Sequence, residues 1–434
     1  MSQPLSSSIA LTLSLVCIVA LLAPCTQASD GGKPLVTAII KDASTLLYTS
    51  PLKDSSPLVL DLSGPLVWFT CDDASHPTVE LYERECTEAN RYTRPSCWTT
   101  FAGGNYGGAG AKCAAHPYNP VAGRCASGDL TRATLSANAT DGRNPLHPVS
   151  FPAVAACAPA PLLDELPSGA AGVAGLARSD LALPTQVAAT QRVARKFALC
   201  LPSGGGGGHG VAVFGGGPLF LLPPWLLEIT SMMENATLRR YQELPGYYIW
   251  INSINVDQHP VPPPPPLGYY GAGAGGPIVV GFSTTIPYTA LRPDVYRPFV
   301  QAFDNASTSV FRIPRVAPVA PFELCYNSSN LGSFRGGYDV PQIDLILEDG
   351  TRYGVFGANS VVQVDDTTVC LAFVEMKPEE LGYEHGQAPA MVMGGYQMEN
   401  NLLVFDEEKE QLRLSTLLLF RQTTCSNFNF TMAA

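Results

Sequence analysis

At 434 residues the chain is longer than one hydrophobic core usually spans, so two domains or two lobes are expected. Hydrophobic residues make up 46% and charged residues only 15%, and the chain has 40 glycines and 38 prolines. This argues against a disordered or mainly helical chain and for a turn-rich, mainly β protein. The net charge of −11 argues against nucleic acid as a partner, because nothing would neutralise its phosphates.

From the N-terminus, Ile9 to Ala23 form an apolar run broken only by serine and threonine, followed by small and polar residues through Ala28. The pattern predicts a secretory signal over 1–28, although no Lys or Arg precedes the run. The run is short for a membrane anchor, and no later stretch could span a bilayer, so no membrane partner is expected after cleavage. Strand-like segments then recur between turn residues at Leu35–Ile40, Leu46–Tyr48, Leu58–Leu60, Leu66–Phe69, Val211–Phe214, Ile249–Val256, Ile278–Val280, Ile343–Leu347 and Val361–Val364. Helical patterning is sparse: Ala182–Ala198, with Pro184 near its start, and Val295–Phe303. Glycine and proline cluster between Gly217 and Pro224, which predicts an N-terminal β lobe over 29–217 and a C-terminal β lobe over 218–434. The segment from Ser203 to His209 is glycine-rich but lacks the Lys-Ser/Thr of a phosphate loop, so it reads as a loose hairpin. Pro262–Pro266 is a stiff extended run, read as an exposed insertion.

Loss of the signal removes Cys17 and Cys25 and leaves Cys71, Cys86, Cys97, Cys113, Cys125, Cys157, Cys200, Cys325, Cys370 and Cys425. An even number in an exported chain implies about five disulfides. No Cys-x-x-Cys pair occurs and the histidines are scattered, so no metal or other cofactor is expected. Asn138, Asn235, Asn305, Asn327 and Asn429 lie in glycosylation sequons, which fit a secreted, extracellular or apoplastic protein.

The segment Leu58-Val59-Leu60-Asp61-Leu62-Ser63-Gly64-Pro65-Leu66-Val67-Trp68 resembles the first catalytic loop of pepsin-like aspartic proteases. These enzymes need two such loops, whose carboxylates share one proton and divide the roles of acid and base. The matching second segment, Ile278-Val279-Val280-Gly281-Phe282-Ser283-Thr284-Thr285, places Ser283 where the second aspartate belongs. Leu62 replaces the threonine that ties the loops together, and Tyr118 is matched to the protease flap tyrosine. Ser283 is not read as a nucleophile, since Gly281 to Thr285 departs from Gly-x-Ser-x-Gly. Asp61 is therefore expected as a hydrogen-bonded remnant. Val211 to Gly216 and Met391 to Gly395 are read as the apolar-Gly segments that thread beneath the loops, one per lobe, and Leu402 to Ser415 as a closing hairpin.

Longer motifs narrow the resemblance, among them Gly64 to Trp68, Ala155 to Pro159, Gly172-Val173-Ala174-Gly175-Leu176-Ala177, Asp294 to Pro298, Pro321 to Tyr326 and Phe373 to Met376. From about Pro34 to Cys425 the chain resembles the cereal endoxylanase inhibitors of the aspartic-protease-like type. Relatives of that group include extracellular dermal glycoprotein, xyloglucanase inhibitors and the basic globulins of legume seeds. The resemblance implies a two-lobed pepsin-like fold without proteolysis, pairing of Cys200 with Cys425 and of Cys325 with Cys370, and a monomer. The implied partner is a microbial glycoside hydrolase, a xylanase or xyloglucanase, whose substrate cleft is plugged in plant defence. A non-inhibitory extracellular or seed globulin is the second reading, and a residual endopeptidase the third. In the inhibitors a histidine near the C-terminus reaches between the two catalytic glutamates of the xylanase. Here Leu419 stands at that position, and the partner-binding segment is expected at Leu417, Leu418, Leu419, Phe420 and Arg421.

Overall fold

The computed structural model describes residues 32–54, 56–71, 76–94, 97, 111–142, 144–204, 208–216, 233–263, 277–329, 331–377, 382–383 and 386–433. The signal segment, the 217/218 lobe division and the proline run beyond residue 263 lie outside the described residues.

Apolar alternation and frequent turn residues produce two large sheets. Among the described residues the first has 13 strands. Its centre runs Lys196–Cys200, Gly210–Phe214, Leu35–Lys41, Tyr48–Lys53, Ser56–Asp61, Gly172–Gly175, Val67–Thr70, His147–Ala158 and Gly128–Ala139. Among the described residues the second has nine strands, built on Ile343–Leu347, Leu244–Val256, Ile278–Phe282, Met391–Met393 and Thr289–Leu291. The hairpin Leu402–Asp406 and Gln411–Leu414 does not extend the second sheet. It continues the first one, with Cys200 opposite Leu402 and Lys196 opposite Asp406. Fully buried Phe197 and Phe405 stack there at 4.8 Å, so the closing hairpin is held by both ladder and packing. One continuous apolar cluster runs through both sheets, from Leu35 to Leu414.

Two sequence expectations change. The helix predicted over Ala182–Ala198 is Leu183–Gln191 followed by the strand Lys196–Cys200. Arg192 takes a left-handed conformation (φ 54°) and closes the helix, and the apolar residues beyond it are drawn between two strands of the sheet. The threading segment of the first lobe is Gly172–Gly175, not Val211 to Gly216. Gly172–Gly175 runs parallel to Ser56–Asp61 and antiparallel to Val67–Thr70. Val211–Phe214 instead pairs with Leu35–Lys41 and Lys196–Cys200. In the second lobe Met391–Met393 does hold the expected place, parallel to Ile278–Phe282 and antiparallel to Thr289–Leu291. The second predicted helix spans Pro293–Asn305 and buries Val295, Tyr296, Phe299 and Phe303 along one stripe.

Five disulfides join Cys71 to Cys157, Cys86 to Cys113, Cys97 to Cys125, Cys200 to Cys425 and Cys325 to Cys370. The last two are the pairs that the resemblance implies. Cys200–Cys425 spans 225 residues and fastens the C-terminal tail to the first sheet. Asn235, Asn305 and Asn429 are exposed, while Asn138 and Asn327 are half-buried.

Candidate functional site

Two turns built on the same plan face each other where the sheets meet. In the first, Ser56–Asp61 ends in Asp61, whose Oδ1 accepts a hydrogen bond from the Ser63 amide at 2.8 Å. In the second, Ile278–Phe282 leads to Ser283, whose Oγ accepts from the Thr285 amide at 3.2 Å. Each side chain thus closes a short turn onto the amide two residues on. The threading strands hold both turns from below: Leu176 N–H donates to Asp61 O at 2.8 Å, and Ser283 N–H to Met393 O at 2.9 Å.

Thr284 ties the turns together. Its fully buried hydroxyl donates to Leu60 O at 2.5 Å and accepts from Leu62 N–H at 3.2 Å. Leu62, equally buried, has no hydroxyl with which to reciprocate, so this tie is one-sided. The consequence is that Ser283 and Asp61 are brought to equivalent places in paired loops, with one carboxyl between them. Burial pushes the Asp61 carboxyl up to about 6, against the pull of the Ser63 amide, the Arg94 guanidinium and the Gly64 amide. A carboxyl in this state exchanges a proton near pH 6. The residue opposite, Ser283, has a hydroxyl already engaged with Thr285 Oγ1 at 3.1 Å.

A small hairpin, Tyr118–Asn119 paired with Arg124–Cys125, lies beside Trp68 at the end of the first loop segment. Trp68 Nε1 donates to Tyr118 O at 3.1 Å. The Arg94 guanidinium lies 3.9 Å from the centre of the Tyr118 ring, a cation–π contact. Asn119 is fully buried and secures the hairpin, donating to Leu162 O and Asp164 O at 2.8 Å each.

The C-terminal segment is arranged differently from the expectation. Leu417 and Leu418 are buried at 1% exposure, Leu419 and Phe420 are half-buried, and Arg421 is exposed. The chain turns here as a short 3-10 helix, Leu418–Arg421, with the Leu418 amide bonded to Asn400 O at 2.9 Å. Its leading leucines therefore pack inward, and the expected contact role is corrected for Leu417 and Leu418. Among the described residues, one grouping of metal-ligand types occurs, Cys71, His76 and Cys157, and its two cysteines are disulfide-bonded to each other, so it offers no thiolate.

Sequence reasoning missed the position of Arg94 over Tyr118 and the role of Gly172–Gly175. The second had a signal, because Gly172 to Ala177 stands out as an apolar-Gly motif. The first had none, because the pairing depends on a fold contact between distant residues.

Residues 46–216 match the family model described as xylanase inhibitor N-terminal, and residues 246–416 the one described as xylanase inhibitor C-terminal. The chain is 55% identical over 411 residues to a rice (Oryza sativa subsp. japonica) protein named chitinase CLP, covering 93% of each. It is 33% identical over 464 residues to a probable aspartic proteinase GIP2 of Nicotiana benthamiana, covering 99% of this chain and 100% of that one. It is also 33% identical over 420 residues to gamma conglutin 1 of Prunus dulcis, with 91% and 89% covered. Among solved structures, edgp superposes with a TM-score of 0.76 at 31% identity, over 93% of this chain and 99% of that one. An aspartic proteinase from Irpex lacteus aligns at a TM-score of 0.53 and 11% identity, over 91% of this chain and 99% of that one, a likeness of fold alone. The two-lobed, mainly β architecture is thus the pepsin-like one. Among the described residues no helix is long and apolar enough to cross a membrane.

Proposed function

Because the chain belongs to the xylanase-inhibitor family and carries its pepsin-like fold, we propose that it is a secreted, non-catalytic protein that occupies the substrate cleft of a microbial cell-wall glycoside hydrolase. The observation that carries the non-catalytic part is the loop pair itself: Thr284 locks the two turns face to face, and one of them presents Ser283. Asp61 has no carboxylate partner with which to share a proton, so water cannot be activated on one side and the leaving amine protonated from the other. The lobes divide near residue 217, the five sequons carry glycan, and the contact with the enzyme is made by the C-terminal turn at Leu419, Phe420 and Arg421. An endoxylanase is the first target, followed by a xyloglucanase.

A storage or binding globulin of the same fold is the second reading, favoured by the similarity to gamma conglutin 1. A third reading follows from the name of the rice relative, in which this chain itself acts on chitin. One titration separates these readings. Purified protein is added to a panel of microbial endoxylanases, xyloglucanases and chitinases, and it is incubated alone with chitin and with haemoglobin at acid pH. Saturable inhibition of one panel enzyme with no hydrolysis by the protein itself is the expected result. No inhibition across the panel leaves the globulin reading, and hydrolysis of either substrate overturns the non-catalytic one.

A further inference from the structure

Three neighbouring pieces of the first sheet bring Cys71, His76 and Cys157 together. Cys71 directly follows Val67–Thr70 and Cys157 lies in His147–Ala158, two parallel strands with Phe69 opposite Cys157 and Thr70 opposite Ala158. The backbone ladder holds the two cysteine Cα atoms, 5.3 Å apart, with or without a bond between the sulfurs. His76 is carried to them by the segment after it. Pro77 O accepts from the Thr131 hydroxyl at 2.6 Å and from the Arg132 amide at 3.2 Å, and Thr78 bridges to Thr131. A ring nitrogen of His76 and the two sulfurs all lie within 4.8 Å of one another. Asp129, on Gly128–Ala139, faces the same ring: its Oδ2 stands 3.5 Å from His76 Nε2 and 3.3 Å from Lys112 Nζ.

Joined to each other, the sulfurs offer a metal nothing. Reduced, they are two thiols beside an imidazole that a carboxylate orients, which is the ligand chemistry of zinc. Bonds of about 2.3 Å to sulfur and 2.1 Å to nitrogen set the ligand atoms of a tetrahedron about 3.6–3.8 Å apart, a distance that side-chain rotation alone reaches. We propose that Cys71, Cys157 and His76 form a zinc(II) site that opens when the Cys71–Cys157 disulfide is reduced. Asp129 positions the imidazole, and water takes the fourth place. The site is separate from the function proposed above and does not depend on it. A dithiol gives two electrons and two protons to the sulfur pair and itself becomes a disulfide. Zinc then binds both sulfurs as thiolates and releases their two protons. Access favours this pair: Cys71 is half-buried, whereas Cys86–Cys113, Cys200–Cys425 and Cys325–Cys370 are buried at both ends. Cys97–Cys125 is half-open at Cys125, but among the described residues no third ligand type joins it.

The test takes the full chain with its disulfides formed, reduces it with limiting dithiothreitol in the absence of oxygen, and removes the reagent before metal is added. Alkylation and peptide mapping identify the freed cysteines, circular dichroism checks the fold, and zinc(II) is titrated against a chromophoric chelator. Cobalt(II) in place of zinc reports thiolate ligation by its charge-transfer absorption. Cys71 and Cys157 are expected to be freed, and the reduced chain to bind zinc at least about tenfold more tightly than the oxidised one. In the reduced chain His76→Ala and Asp129→Asn are each expected to weaken zinc binding by about tenfold or more, with Asp129→Glu recovering part of the loss. Cys157→Ser keeps the Cys71 thiol beside His76 and needs no reductant. It is expected to show a cobalt–thiolate band that a further His76→Ala abolishes, and absence of that band overturns the site even where the reduced chain does not stay folded. Zinc affinity that is equal in the reduced and oxidised chains, or unchanged by His76→Ala, overturns the site as well. Reduction that leaves Cys71–Cys157 bonded overturns its opening by a dithiol.

Discussion

Replacing Asp61 with asparagine tests whether the remnant carboxyl is a burden on the fold. With the folded carboxyl at about 6 and the unfolded one at its ordinary 3.8, the native state binds the extra proton between those values. Stability is therefore at its full value below about 3.8 and falls as pH rises toward about 6, because a buried carboxylate must then be carried without a cationic partner in direct contact. The difference corresponds to about 3 kcal/mol. Asp61→Asn keeps an acceptor for the Ser63 amide and removes the ionisation. Whatever constant cost the new amide brings is the same at every pH, so it cancels when two pH values are compared. Denaturant midpoints of parent and variant at pH 3.5 and pH 7.5, with disulfides intact, give the change directly. The variant is expected to gain about 3 kcal/mol on the parent between these two conditions. A variant that loses ground on the parent as pH rises would falsify the assignment, since it would mean the ionised carboxylate is well solvated or paired in the folded chain.

Other substitutions probe the remaining links. Thr284→Val orphans Leu60 O and Leu62 N–H in the core and is expected to cost about 1–3 kcal/mol per group, whereas Thr284→Ser restores most of it; equal midpoints for the two variants would refute the tie. Lys41→Met strands Glu399, whose carboxyl burial already pushes up and which among the described residues keeps the Tyr48 hydroxyl at 2.6 Å, so a loss of about 3–5 kcal/mol at pH 7 is expected, partly recovered by adding Glu399→Gln. Ser283→Asp alone is expected to give no pepstatin-sensitive cleavage of haemoglobin, because Leu62 and the Thr285 side chain remain in the loops; measurable cleavage overturns that view. Leu419→His is expected to tighten binding to an endoxylanase by about one to two decades, equivalent to roughly 1.5–3 kcal/mol, and to make it pH-dependent between about 5 and 7; unchanged affinity places recognition elsewhere on the rim.

The sequence by itself determined the class of fold, the even set of cysteines and the two loop segments. These features are local. Apolar runs ending in turn residues specify strands wherever they fall, and Asp61 and Ser283 each close a turn with the amide two residues ahead. Tertiary structure alone decided which of two similar apolar-Gly segments threads the first lobe. Gly210–Phe214 and Gly172–Gly175 read alike and begin with equally crowded glycines, but Gly172–Gly175 lies between Ser56–Asp61 and Val67–Thr70, whereas Gly210–Phe214 lies between Leu35–Lys41 and Lys196–Cys200. That placement is set by partner strands far along the chain, not by the segments themselves. The same holds for Lys196–Cys200, which leaves a helical pattern to fill the gap beside Leu402–Asp406, and for Leu417 and Leu418, whose apolar character suits an exposed contact and a core equally. Local pattern records that a residue is apolar, and only long-range register determines which surface it covers.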